Sequence, residues 1–550
     1  MHSIHLADVH DEGKIPNSTP EAPSPVPEDP LPKKKTRKPF SFYMSVVALC
    51  LLAVITAWDA TSLAIALPAI TDQLHGTTFQ SFWASTSFVL GVTITQPIYV
   101  SVSDVFGRKQ PLYASLLFFT VGSIVFAVAQ NMETLIGGRL IQGIGAGGLD
   151  VLEEIILADI TSLKERPVYL AIIALAIATG SIAGPILGAV FSQFDWRWIG
   201  WINLPIVGTA FILCILFLRL RPIDVPLSVK VRRLDWTGII LFTIGATATS
   251  LPISWAGALY PWSSWRTIVP LVIGLVVLVI FGFYEKRPAN PILPYQLFSN
   301  ATGTASLITG LLHGLVLYTI LLYLPLFFQA VFLEEALEAA KSTLALAALV
   351  IASSFLAPIA IEFTRRYRFL LWAGWVFIAV FLGLWSIVGL NTPRVQTYVF
   401  QALLGIGIGV VFTGTQVPMQ ASVVHVDDTG LAVGMLVVFR LFGALIGLAI
   451  GSTAFSSEFE KHIVALGPLP EQLSALNDAS QAVAFLPTFR TLELPAELTD
   501  NVIGVYLQSF KAVWYILAAF SALGFIGSLF IKDLSLERDD VGRQGFEQST

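Results

Sequence analysis

Charge is what this sequence has least of: 13% of its 550 residues are Asp, Glu, Lys or Arg, against about 25% in an average soluble domain. About half the usual surface charge is missing, which excludes a soluble enzyme, a nucleic-acid binder and a disordered scaffold. Cysteine is nearly absent too. Cys50 and Cys214 both lie in apolar stretches, so there is no disulfide framework. Of seven histidines only His313 falls inside an apolar run, too few for histidine-box iron chemistry. No Gly-x-x-x-x-Gly-Lys-Ser/Thr loop occurs, which excludes the usual ATP-driven motor, and nothing resembles a channel filter. What is abundant is apolar surface: 55% of residues are hydrophobic and mean hydropathy is +0.75. With about 20 apolar residues needed per transmembrane helix, the expectation is an all-α integral membrane protein of about 14 spans.

The runs fall at 43–67, 80–101, 112–130, 134–158, 168–190, 200–218, 236–256, 267–284, 302–327, 342–361, 370–390, 397–418, 433–455 and 511–531. Ahead of them, residues 1–42 carry eight prolines and the basic cluster Lys33, Lys34, Lys35, Arg37 and Lys38. Such a segment buries too little apolar surface to offset its ordering entropy and is read as a disordered cytosolic tail. The cluster is read as holding that tail inside by charge, with anionic-lipid binding or a nuclear signal as alternatives. With both termini inside, about 23 Lys/Arg sort to one side, about 7 to the other and two into the membrane. Residues 532–550 form the C-terminal cytosolic tail. The longest external loop is expected at 457–510, acidic and without a strong apolar run. The sequons at Asn17 and Asn300 fall on the cytosolic side, so no glycosylation is expected.

A repeat is visible inside the chain. Gly143, Gly145 and Gly147 of span 4 recur as Gly405, Gly407 and Gly409 of span 12, at an offset of 262; Gly180, Gly184 and Gly188 of span 5 recur as Gly443, Gly447 and Gly451 of span 13, at 263. Close packing through small residues explains each set alone but not their common offset. Spans 1–6 (43–219) and 9–14 (301–531) are therefore read as two six-helix pseudo-repeat bundles, with spans 7 and 8 inserted within 220–300. Transporters with a midplane site between two such halves fit this pattern.

Chemistry concentrates at four places. The loop after span 2 reads Ser101-Val-Ser-Asp104-Val-Phe-Gly107-Arg108-Lys109: Gly107 suits a tight turn, and Asp104 can pair with Arg108 or with a helix N-terminus. Simple positive-inside anchoring is the alternative. This loop resembles that of the major facilitator superfamily between helices 2 and 3, with Ser101 and Val105 as departures, and the resemblance implies a gate that latches two halves. Span 4 puts Arg139, Gln142, Ala146, Asp150 and Glu153 on one stripe, at about 100° per residue. Ionisable groups at such depth are functional candidates by default, although Glu153 and Glu154 are also read as capping the helix at the water interface. Arg139-Leu-Ile-Gln142-Gly143-Ile-Gly145 resembles the superfamily's helix 4 signature, whose arginine is implicated in proton coupling.

Span 5 carries Gly180, Gly184, Pro185 and Gly188, a smooth face with a proline that removes a backbone donor. It resembles the antiporter signature, with Ala189 in place of its last glycine, which implies a hinge and favours export. Trp58-Asp59-Ala-Thr61 through Pro68 resembles helix 1 of the fourteen-span drug:proton antiporters; Asp59 is read either as a proton carrier or as the buried partner of Arg139. Asp195-Trp196-Arg197-Trp198 with Asn203-Leu204-Pro205 is similar to the start of that family's helix 6. Arg440 in span 13 needs a counter-charge or cavity, and Gln401 stands at the repeat position of Arg139.

Taken together, residues 43–535 resemble the superfamily's fourteen-span drug:proton antiporters, and most nearly the fungal pumps that accompany secondary-metabolite and toxin synthesis. The resemblance implies proton-coupled efflux of small amphipathic organic compounds by alternating access, with multidrug resistance as a related role. Siderophore or amino-acid uptake is the alternative within transport, and a channel the alternative outside it. The expected partners are a small-molecule substrate, protons and the lipid bilayer, with no nucleic acid, no cofactor and no metal. A monomer that is not an enzyme is expected in the plasma membrane, with the vacuolar membrane as the alternative.

Overall fold

The computed structural model of the chain describes residues 38–535, apart from 75–77, 163–164, 222–224, 257–259, 289–290, 294, 299, 424–427, 478–481 and 483–484. The basic cluster at 33–37, the Asn17 sequon and most of the C-terminal tail lie outside the described residues. Among the described residues, fourteen long helices follow the apolar runs. The first bundle contains α1 (Phe40–Gln73), α2 (Thr78–Phe106), α3 (Lys109–Ala127), α4 (Met132–Ile160), α5 (Arg166–Phe194) and α6 (Asn203–Phe217). Next come α7 (Trp236–Trp255) and α8 (Trp265–Tyr284). The second bundle contains α9 (Ala301–Val331), α10 (Leu344–Thr364), α11 (Arg368–Trp385), α12 (Arg394–Gly414), α13 (Thr429–Ala465) and α14 (Ala496–Leu529). Polar side chains start several of them: Asn131 accepts from the Thr134 amide at 2.8 Å, Asp235 from Gly238 at 2.8 Å and Asn300 from Gly303 at 2.6 Å, each satisfying an orphan donor of a first turn.

Among the described residues, thirteen spans are apolar and long enough to cross a membrane, so this is a multi-pass membrane protein. The fourteenth helix is α4. Glu133, Arg139, Asp150, Glu153, Glu154 and Asp159 lower its hydropathy, yet it packs along both α2 and α3 and crosses with them. The helix that fails the apolar test is the one bearing the polar stripe.

The packing repeats as the sequence does. The pairs α1–α5, α2–α4, α3–α4 and α1–α6 recur as α9–α13, α10–α12, α11–α12 and α9–α14. Backbone approach explains the glycines. A β-carbon on Gly180 or Gly188 would strike the α1 carbonyls of Val54 or Ser62, and one on Gly443 or Gly447 the α9 carbonyls of Leu311 or Leu315. Gly143 and Gly405 meet the carbonyls of Phe88 and Leu346 on α2 and α10 in the same way. Backbone atoms cannot rotate aside, so Gly443→Ala must push α13 off α9. Overpacking of this kind costs about 1–3 kcal/mol, and we expect its thermal unfolding in detergent to begin at lower temperature. Gly208→Ala, which would meet nothing within 4 Å, should leave it unchanged.

The apolar cores reveal how the halves meet. One core joins α1–α6 residues such as Leu49, Leu152 and Ile156 to Leu307, Met419, Met435 and Leu436 of the second bundle. It lies toward the end carrying Arg108, Lys109, Arg219 and Arg365, called here the basic end. Toward the opposite end, among the described residues, the cores are separate: Leu63, Ile70, Phe126 and Trp196 belong to the first bundle alone, while Phe327, Trp385, Phe455 and Trp514 belong to the second. Among the described residues, the apolar core shared by the two bundles thus lies at the basic end.

Helix ends differ from the hydropathy reading in one place. The loop expected at 457–510 spans only 466–495, because α13 runs on to Ala465 and α14 begins at Ala496. Glu458 pairs with Lys461 at 2.9 Å and His462 at 3.3 Å one turn on, while Val502, Ile503, Val505 and Tyr506 of α14 are buried. These turns are amphipathic rather than uniformly apolar, so a window searching for apolar runs stops short of them.

Candidate functional site

The polar residues of α4 divide between two sites. In the first, inside the first bundle, Asp59 of α1 receives Arg139 Nη1 on Oδ2 at 2.5 Å, while Gln142 Nε2 and Asn203 Nδ2 donate to Oδ1 at 2.8 and 2.9 Å. Gln142 Nε2 also donates to Ser123 Oγ at 2.9 Å, and Arg139 Nη1 to Gln142 Oε1 at 2.7 Å. The guanidinium lies 4.2 Å over the Phe88 ring, a favourable seat for a desolvated cation. Asp59 and Arg139 are 1% and 2% exposed. Of the two readings of Asp59, the pairing with Arg139 is the one present in this conformation.

The second site bridges the bundles, about 16 Å further along α4 at 1.5 Å per residue. Asp150 Oδ2 accepts from Gln96 of α2 at 2.5 Å, and both oxygens of Glu154 accept from Gln416 Nε2, at 3.1 and 3.0 Å. Gln416 belongs to the short helix Gln416–Ala421 after α12. Arg440 of α13 donates to the Phe412 carbonyl at 2.8 Å and lies 4.1 Å over that ring, within electrostatic range of Glu154, Asp150 and Tyr318. Glu153 is fully buried, and neither carboxyl oxygen has a hydrogen-bond partner. The expectation that Glu153 and Glu154 merely cap α4 at the water interface is corrected by this burial: α4 runs on to Ile160, two turns deeper into the contact between the bundles.

The third site closes the basic end. Gly107 has φ +94°, the left-handed backbone that glycine adopts at no steric cost, and the chain turns there from α2 into α3, which begins at Lys109. Arg108 is 2% exposed. Its Nε donates to Asp159 Oδ2 at 2.8 Å and its Nη1 to Ser103 Oγ at 2.8 Å, whereas Asp104 stands 3.7 Å away and half-exposed. Gly430, in the first turn of α13, abuts this pair: a β-carbon there would lie 2.9 Å from Arg108 Nη2 and 3.2 Å from Asp159 Oδ1. Beside it, Arg166 donates to the carbonyls of Ala158 and Thr161 at 2.6 and 2.8 Å and reaches across to Gln420 Oε1 at 3.0 Å.

Gly180, Gly184 and Gly188 form the seam with α1 described above, and α5 is a single helix through position 185; the Pro185 side chain lies outside the described residues. Gln401, at the repeat position of Arg139, donates to the Ser342 carbonyl at 3.0 Å and has no acid beside it comparable to Asp59. Among the described residues no three His, Cys, Asp or Glu side chains are grouped to hold a metal. A cavity of about 590 Å³ lies apart from all three sites, toward the end opposite the basic one, lined by Ile253, Trp262, Leu271, Ile446, Ile450 and Ile516 of α7, α8, α13 and α14 and the loop between α7 and α8.

Asp159, Gln420, Gln416, Gln96 and Ser123 were not singled out by the sequence, and Arg166 only as part of the segment Leu163-Lys-Glu165-Arg166-Pro that resembles the fungal pumps. Gln96 and Gln416, amides inside apolar runs, left a signal there.

The sequence profile of the Major Facilitator Superfamily matches residues 49–451. The chain is 42% identical over 520 residues to the MFS-type transporter sphD of Aspergillus fumigatus, covering 94% of this chain and 90% of that one. It is 33% identical over 531 residues to the efflux pump FUS6 of Gibberella moniliformis, covering 95% and 94%. The fold is similar to the solved proton:xylose symporter XylE, with a TM-score of 0.57 at 12% identity over 90% of this chain and 98% of that one. A fold of two six-helix bundles with two inserted helices, a profile match over most of its length and full-length relatives agree: this chain belongs to the Major Facilitator Superfamily.

Proposed function

We propose that the protein is a proton-coupled efflux pump that exports small amphipathic organic compounds, of the secondary-metabolite, toxin or drug class, by alternating access. The observation that carries this reading is the combination of buried ionisable groups on α4 with two bundles whose shared apolar core, among the described residues, lies at the basic end. The similarity to a relative named as an efflux pump supports export.

By the positive-inside rule the basic end is cytosolic. Both termini are then cytosolic, the present conformation is open outward, and the membrane is the plasma membrane. In this state protons from outside enter between the bundles to the α4 acids Asp150 and Glu153, with Arg440 as the facing cation. Charges of one sign cost several kcal/mol in such a place unless compensated, so proton gain changes how tightly the bundles hold each other. Asp59, Arg139 and Gln142 form the fixed charge set that couples α1 to α4. Asp104, Gly107, Arg108 and Lys109 form the cytosolic gate, and Gly180, Gly184, Pro185 and Gly188 the surface on which α5 tilts against α1. Residues 43–219 and 301–531 are the two moving units and 220–300 the inserted segment.

The test is transport of candidate fungal metabolites by the purified full chain in sealed vesicles under an imposed pH gradient. Substrate should move opposite to the protons, and collapsing the gradient should stop it. Movement of substrate together with protons overturns the exporter reading in favour of uptake, and charge flow without substrate overturns it in favour of a channel.

A further inference from the structure

Two buried acids stand outside all three sites. Asp235 caps α7, its Oδ1 accepting from the Gly238 amide at 2.8 Å and from the Tyr284 hydroxyl at 3.0 Å. Glu285 follows the last residue of α8, and its Oε2 accepts from the Leu293 amide at 3.1 Å. The other oxygen of each, Asp235 Oδ2 and Glu285 Oε1, is buried without a hydrogen-bond partner, in residues 6% and 2% exposed. Both free oxygens converge on Gly238: a β-carbon there would collide with Asp235 Oδ2 and lie 3.0 Å from Glu285 Oε1.

Two ionised carboxylates cannot rest in this arrangement without cost, since a buried acceptor left unpaired costs about 1–3 kcal/mol and more when charged, and like charges add repulsion. Among the described residues no cation pairs with either acid. On the neighbouring short helix Leu227–Arg233, the Lys230 ammonium donates to the Phe106 carbonyl at 3.3 Å, and Arg232 and Arg233 are exposed. Lys286 and Arg287, next after Glu285, are exposed as well, and α2 contributes at this end the Phe106 carbonyl already held by Lys230. One proton held between the free oxygens would resolve the conflict, the O–H of one acid then donating to the other. Burial pushes the Glu285 carboxyl up to about 7, opposed by the Leu293 and Ile292 amides and reinforced by the Asp235 charge.

We propose that Asp235 and Glu285 form a proton-binding site, sharing one proton between Oδ2 and Oε1, and that this proton clasps the start of α7, the end of α8 and the connector at 292–293 that leads to the second bundle. The site is separate from the coupling groups and does not depend on the direction or coupling of transport. An acid raised in the folded state binds its proton over a range where the unfolded chain has lost it. The stabilisation is therefore full below the ordinary glutamate range and is lost as pH rises through about 7.

The full chain in lipid nanodiscs tests this without any variant: hydrogen exchange at the Leu293 amide, corrected for its intrinsic pH dependence, should lose protection between about pH 6 and about pH 8. Over the same range the Tm should fall, and the infrared carbonyl band of a protonated carboxyl should fade. Glu285→Gln, whose amide N–H stands in for the proton, should make the fall in Tm shallower, hold a higher Tm than wild type at about pH 8 and remove one component of the band, leaving that of the α4 acids. Asp235→Asn, which keeps an N-cap oxygen, should do the same should Glu285→Gln fail to fold. Leu293 protection that ignores pH overturns the proposal, as does a Glu285→Gln profile parallel to wild type. Recovery of the wild-type Tm at about pH 8 on adding magnesium or calcium overturns it too, in favour of a metal ion between the acids.

Discussion

Asp59→Asn and Arg139→Ala are each expected to reduce gradient-driven substrate flux to the level of empty vesicles while the protein still inserts. The two residues form a buried pair at 2.5 Å, and every other polar group of the site is arranged around it: Gln142 and Asn203 fill Asp59 Oδ1, and the Ala84 carbonyl takes Arg139 Nε at 3.4 Å. Removing one partner of a buried pair typically costs about 3–5 kcal/mol, because the other charge is left uncompensated. Arg139→Ala leaves the carboxylate with the Gln142 and Asn203 amides alone, and α1 loses its charge link to α4. Asp59→Asn leaves the guanidinium with carbonyl, amide and ring contacts alone. The double variant Asp59→Asn/Arg139→Gln should recover stability but not flux, since it replaces the pair by neutral groups of similar shape. Recovery of flux in the double variant, or full activity in either single variant, would refute the coupling assignment.

How far the sequence revealed this depends on whether each residue was unusual where it stood. A carboxylate or guanidinium in the middle of an apolar run is costly enough to be conspicuous, so Asp59, Arg139, Asp150 and Arg440 were visible without any structure. Helix count was visible for the same reason in reverse, because apolar runs long enough to span leave few alternatives. Helix ends were less so: α13 and α14 extend by amphipathic turns such as Glu458–His462 that read as loop. Asp159, Asp235 and Glu285 were invisible because acids at the ends of apolar runs are ordinary, normally meeting water. Nothing in one sequence distinguishes an end that meets water from an end that another bundle covers. The same limit applies to pairing: the loop spacing offers Asp104 as one possible partner of Arg108, at helical distance i, i+4, whereas the closer partner is 51 residues away.

That difference has a measurable consequence at the gate. Arg108→Ala or Asp159→Asn should shift the equilibrium toward the conformation open at the basic end by about 100-fold, whereas Asp104→Asn should shift it little. Arg108 and Asp159 are 2% and 3% exposed and bonded at 2.8 Å, so losing one leaves the other with only a more distant counter-charge in the closed state, Arg166 for Asp159 and Asp104 for Arg108, at a cost toward the low end of about 3–5 kcal/mol. In the open state water reaches the survivor and most of that penalty disappears. The difference therefore falls on the closed state alone and, at about 1.4 kcal/mol per factor of ten, amounts to about two decades. Asp104 is 3.7 Å from Arg108 and 28% exposed, where an ion pair contributes about 0–1 kcal/mol. Spin labels at the exposed positions Gln110 and Arg366, one on each bundle at the basic end, report the opening directly in a background lacking Cys50 and Cys214. Arg108→Ala and Asp159→Asn should each lengthen the interspin distance, and Asp104→Asn should leave it at the wild-type value. Equal lengthening in all three variants would return the latch to Asp104. No lengthening in any of them would mean that the apolar core joining Leu152 and Ile156 to Met435 and Leu436 closes this end by itself.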